Sequence, residues 1–109
     1  MQGPARETQR TIEDLSGVGQ MFEGDKLLGI VRYRLHVSKK VFSVGAEEID
    51  GLRRADGAVL DFGTLNPFDL MTRNAELTLE LSDGRRWDCW LQNSNGTLVS
   101  RSGRGIYRP

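Results

Sequence analysis

Arg32, Arg34 and His36 occupy alternate positions in the run Leu27–Ser38, so on a strand they share one face and form a basic stripe. A stripe of that kind suits an anion. Trp90 and Tyr107 add aromatic faces on which bases would stack. Arg104 sits in Ser102-Gly103-Arg104-Gly105, a glycine-rich stretch whose backbone N–H groups can wrap a phosphate. Arg32, Arg34, His36, Trp90, Arg104 and Tyr107 are therefore the candidate ligand-binding residues.

Catalysis has less to work with. A general base at His36 would stand on an open, solvated strand face. Glu47, Glu48 and Asp50 read as a charged loop, because a calcium loop needs further oxygen ligands at fixed spacing. One cysteine and one histidine make neither an internal disulfide nor a Cys/His zinc site. No P-loop, dinucleotide fingerprint or G-x-S-x-G elbow is present. The reading is a protein without catalytic residues, cofactor or metal.

The element that positions Trp90 is a hairpin over Ala75–Gln92. Leu77, Leu79 and Leu81 alternate with Glu76, Thr78 and Glu80, then Asp83-Gly84 marks a turn and a second alternating run follows. A two-residue loop would oppose Leu79 to Asp88 and Leu81 to Arg86, placing charges on the leucine face. A three-residue Ser82-Asp83-Gly84 loop instead opposes Leu79 to Trp87, Leu77 to Cys89 and Glu80 to Arg86. The second register is expected. It buries Cys89 as a small hydrophobe and turns Trp90 outward beside Glu76.

Elsewhere the pattern predicts short strands. Residues 1–16 read as a flexible N-terminal arm, with one helical turn over Thr11–Leu15, and 17–109 as a single domain. A strand over Gly17–Glu23 turns at Glu23-Gly24-Asp25 into Leu27–Ser38, where Val31, Tyr33, Leu35 and Val37 share the buried face. Lys39-Lys40 is read as a turn, and Ala55-Asp56-Gly57 as a hairpin loop pairing Leu52 with Leu60. Asn66-Pro67-Phe68-Asp69 starts a short helix near Pro67–Thr72, with Asn66 as its cap and Phe68 and either Leu70 or Met71 plugging one end of the sheet. Ser94-Asn95-Gly96 returns the chain with Leu91 opposite Val99. About eight antiparallel strands with one short helix predict an all-β fold, a small β-barrel, with a two-layer β-sandwich as the alternative.

The chain has 109 residues, 15 basic and 15 acidic, and a domain of that size can bury roughly 65% of its unfolded surface without a disulfide. A neutral chain lacking a long apolar run reads as cytoplasmic, with no membrane partner. The function expected is a non-catalytic binding or protein-interaction module, with Trp90 marking a surface for a homo-oligomer or a protein partner. The alternative is an OB-like binder of single-stranded nucleic acid or another anionic ligand through Arg32, Arg34, Trp90 and Tyr107. A second alternative is a small-ligand carrier using the barrel interior.

Overall fold

The computed structural model describes residues 6–109. Seven strands and one short helix follow in the order β1 (Arg6–Glu23), β2 (Lys26–Val44), β3 (Glu47–Asp61), α1 (Pro67–Thr72), β4 (Leu77–Glu80), β5 (Arg86–Leu91), β6 (Thr97–Ser100) and β7 (Ile106–Tyr107). All pairings are antiparallel. The sheet runs β4-β1-β2-β3-β6-β5 and returns to β4, closing a ring, while β7 continues along the same side of β5 as β6. The all-β architecture expected from the pattern is present as this ring.

Three strands are far longer than the ring needs. β1, β2 and β3 run on as a three-stranded ribbon, which gives the molecule its extent of 58 × 27 × 22 Å. Here the local turn readings fail. Lys39-Lys40 lies inside β2, and Ala55-Asp56-Gly57 lies inside β3, where the three residues pair with Val37, His36 and Leu35. Leu60 is consequently exposed rather than paired with Leu52, whose side chain lies outside the described residues. Residues 6–16, read as an arm with a helical turn, form from Arg6 onward the first half of β1, paired with Arg34–Ser43.

Inside the ring, Trp87, Tyr33, Met21, Leu35, Leu77, Leu79 and Leu98 are fully buried. The alternation of β2 puts Val31, Tyr33, Leu35 and Val37 inward, as expected. Two glycines let this core close. A Cβ on Gly19 would lie 2.4 Å from the Glu80 carbonyl and 3.0 Å from the Tyr33 ring. The missing side chain thus admits the ring of Tyr33, whose hydroxyl accepts from the Ser82 N–H at 3.0 Å and ties the β4–β5 turn to β2. A Cβ on Gly57 would lie 2.3 Å from the Arg34 carbonyl, so β3 can press onto β2 there only as glycine.

The β4–β5 hairpin has the expected register, with Leu79 opposite Trp87, Leu77 opposite Cys89 and Glu80 opposite Arg86. Arg85 in its turn holds Glu13 through two hydrogen bonds of 3.3 Å, fastening the turn to β1. The β5–β6 connection departs from expectation by one residue. Asn93 accepts from the N–H groups of Asn95 and Thr97, which extends the loop to Asn93–Gly96 and pairs Leu91 with Leu98 and Trp90 with Val99. Leu98 is therefore the inward residue. In α1, Asn66 caps Phe68 and Asp69 as predicted, and Leu70 is the buried side chain, one of the two expected beside Phe68; Phe68 itself points out, 67% exposed.

Candidate functional site

Arg32, Arg34 and His36 share the outer face of β2, as the alternation requires, with both arginines exposed. Their surroundings dilute the charge. Asp14 and Asp56 flank His36 on the neighbouring strands, Asp61 lies opposite Arg32, and the His36 imidazole Nδ1 contacts the Asp14 carboxylate. The stripe is thus a mixed-charge face.

Trp90 is half-buried, beside Val99 on β6. The Arg101 guanidinium lies 5.9 Å from its ring centroid, and Trp90 borders a hollow of about 460 Å³ with Leu70, Asn74, Ala75, Leu91 and Val99. In the ring, β3 and β6 separate β2 from β5. The arginine stripe and Trp90 are therefore not brought into one site.

Arg104 and Tyr107 meet on Asp88, a residue to which the sequence reading gave no role. Asp88 is 8% exposed and accepts from the Tyr107 hydroxyl at 3.0 Å, Thr78 Oγ1 at 3.1 Å and Arg104 Nη2 at 3.1 Å. Arg101 Nη2 stands 3.7 Å away, and the Arg101 N–H donates to the Asp88 carbonyl. Burial alone would raise this carboxyl, but the hydrogen bonds from Arg104, Tyr107 and Thr78 and the charge of Arg101 outweigh it and hold it below the usual range. Burial, with the bond to Asp88, pushes the Tyr107 hydroxyl up. The Arg104 guanidinium also covers the Tyr107 ring, 3.5 Å from its centroid. These groups fasten residues 101–107 to the ring.

What they fasten is one wall of a cleft. β3 pairs with β6 only at Gly57 and Ala58, so the two strands part below that point and the ring opens between Arg53–Ala55 and the Ser100–Gly105 segment. The opening holds about 320 Å³. Its described lining includes Lys40, Arg53, Arg54, Arg101, Ser100 and Ser102, with no carboxylate. A smaller hollow of about 80 Å³ continues inward past Arg53 and Ala55 to Glu13 and Arg85. Among the described residues, the lining carries four cations, two hydroxyls and no acid, a setting for an anion; Arg53 and Arg54, as neighbours in β3, face opposite ways, and Arg54 also borders the outer-face hollow with Arg34 and His36. The signal in the sequence was the tandem pairs Lys39-Lys40 and Arg53-Arg54, which the turn readings send to a turn and to a separate strand end.

Among the described residues, the fold brings no catalytic constellation together. The Cys89 thiol is 0% exposed, and burial pushes it up to about 12, far from a thiolate at neutral pH. Among the described residues, no three of His, Cys, Asp and Glu gather as a metal site, and no helix is long and apolar enough to cross a membrane. Compared with protein-family models, with curated proteins and with solved structures, the chain matches none.

Proposed function

We propose that this protein is a non-catalytic binding module whose ligand is an anion, held in the cleft between β3 and the Ser100–Gly105 segment. The observation that carries this reading is the cleft's described lining, which combines Lys40, Arg53, Arg54 and Arg101 with no acid. In a chain with equal numbers of acidic and basic residues, such a concentration of one sign is a local feature that steers anions. A buried, unreactive thiol suits a reducing, cytoplasmic setting. The filled ring interior leaves the small-ligand-carrier alternative with less support.

The test is fluorescence anisotropy with a labelled oligothymidylate as anionic probe. Binding that weakens steeply with salt, falls at least tenfold in the Arg53→Ala, Arg54→Ala double variant and is unchanged by Arg32→Ala with Arg34→Ala supports the cleft. Equal binding by the double variant refutes it. A second reading, a homo-oligomer or protein partner, is favoured by Val18, Ile30 and Leu60, exposed by 54%, 57% and 58% on the outer face around Arg32. Light scattering across a dilution series, with Ile30→Lys as the disrupting variant, checks it; a constant monomer mass rejects self-association.

A further inference from the structure

Six large hydrophobic side chains are exposed among the described residues, and four of them, Val18, Leu27, Ile30 and Leu60, gather on the outer face of β1, β2 and β3. Val18 lies opposite Arg32, Ile30 opposite Gln20, and Leu27 opposite Phe22, two residues on from Gln20 along β1. Leu60 is the extra residue where β3 bulges against Arg32 and Tyr33. Exposure of 49% to 58% in so close a group is the mark of a contact surface.

The charges on this face follow the strands. β2 presents Arg32, Arg34 and His36, and the residues opposite them on β3 are Asp61, Ala58 and Asp56. β2 is the cationic strand of the face and β3 the acidic one. Arg32, Arg34, Asp56 and Asp61 are exposed, and among the described residues Arg32 and Arg34 have no ion-pair partner. His36 contacts Asp14 on β1, and Asp61 accepts the Gly63 N–H at 2.8 Å.

A two-fold axis between β2 and β3, parallel to both, lays β2 of one copy over β3 of another and exchanges every cross-strand pair. Arg32 then meets Asp61 of the second copy, Arg34 meets Ala58, His36 meets Asp56, and Arg54 meets Ser38. These pairs oppose no like charges. An axis crossing the strands at Arg32 would instead set Arg32 against itself.

Building on the second reading above, we infer that the outer face of β1, β2 and β3 is a self-complementary interface with a second copy of this chain, in which Arg32 of each copy pairs with Asp61 of the other. Burial of Val18, Ile30 and Leu60 drives the association, and the opposed charges of β2 and β3 set its register.

The experiment is sedimentation equilibrium of the full chain. A small interface is weak, so the range runs from about 1 μM to about 1 mM, and the wild type is expected to pass from monomer to dimer within it. By symmetry, Arg32→Asp and Asp61→Arg each create two like-charge contacts in the dimer, and each alone should weaken it at least about a hundredfold. An equimolar mixture of the two variants should associate within about tenfold of wild type, because one supplies only acids at these positions and the other only cations. Circular dichroism verifies that each variant is folded. Asp61→Asn, which keeps an acceptor for the Gly63 N–H, should weaken the dimer by about threefold to tenfold.

A wild type that stays monomeric to about 1 mM overturns the inference and leaves the face to a different protein. A dimer that both charge variants leave intact, or that the mixture fails to restore, uses another surface; the inference then falls while the homo-oligomer reading stands. Neither result bears on the anion-binding cleft, whose described lining contains neither Arg32 nor Asp61.

Discussion

Replacing Asp88 with Asn would test whether the carboxylate holds the cleft wall in place. The side chain is 11% exposed and accepts three hydrogen bonds, two from neutral hydroxyls and one from Arg104. Asn retains one acceptor oxygen but turns an NH₂ group toward Arg104 or Arg101, so the charge-assisted contact is lost and one neutral bond weakens. Hydrogen bonds to charged groups contribute about 1.5–3 kcal/mol. The Arg104 end is 57% exposed, so solvent screens its share down toward the surface-pair range of about 0–1 kcal/mol. With about 1 kcal/mol more from the weakened hydroxyl bond, a net loss of about 1–2 kcal/mol follows, a fall in Tm of about 4–12 °C for a chain of this size. Because the folded carboxyl is held below its ordinary range, its contribution is complete above the unfolded pKa and disappears as pH falls through the folded one. Thermal unfolding followed by near-UV circular dichroism from neutral to acid pH reads this directly. The wild-type and Asp88→Asn midpoints should lie apart at neutral pH and converge in acid. Midpoints that agree at pH 7, or a gap that persists unchanged through the acid range, would refute the role assigned to Asp88.

Further consequences follow from the register and the close approaches. Leu98→Ala should cost about 2–5 kcal/mol and Val99→Ala much less, measured by urea unfolding; the reverse order would restore the register expected from Ser94-Asn95-Gly96. Gly57→Ala should destabilise by about 1–3 kcal/mol, because its Cβ would meet the Arg34 carbonyl at 2.3 Å and Leu35 Cδ2 at 2.5 Å; a gain in stability would mean that β2 and β3 separate there. Cys89 should react with a thiol reagent only as fast as the protein unfolds, since it is 0% exposed and its thiol is raised to about 12. Rapid labelling under native conditions would contradict its place in the core.

The parts legible in the sequence are those set by local pattern. Period two in Leu77–Leu81 and Arg86–Leu91, with a turn of the right length, determined the register of the β4–β5 hairpin, and Asn66-Pro67 announced a helix start that the structure contains. The failures share a cause. Ala55-Asp56-Gly57 and Lys39-Lys40 carry turn chemistry, yet pairing along the full length of β2 overrides it. Gly57 is needed for close approach to β2, not for a turn. The loop at Asn93 gained a residue because its side chain bonds two backbone N–H groups, a contribution that pattern alone does not rank against a tighter loop. Those two misreadings also hide the cleft: Lys40 and Arg53 come to one opening only when β2 and β3 pair along their full length. Asp88 alternated outward in the sequence as an ordinary surface acid; only the return of Arg104 and Tyr107 onto it reveals its role.

The most direct test of the cleft is an amide chemical-shift titration of the isotope-labelled protein with inorganic polyphosphate. The largest and most salt-sensitive shifts should fall on Arg53, Arg54, Ala55 and the Ser100–Gly105 segment, with the Arg32–His36 face little changed. Shifts confined to Arg32, Arg34 and His36, or none at all at low salt, would contradict the assignment of anion binding to the opening between β3 and β6.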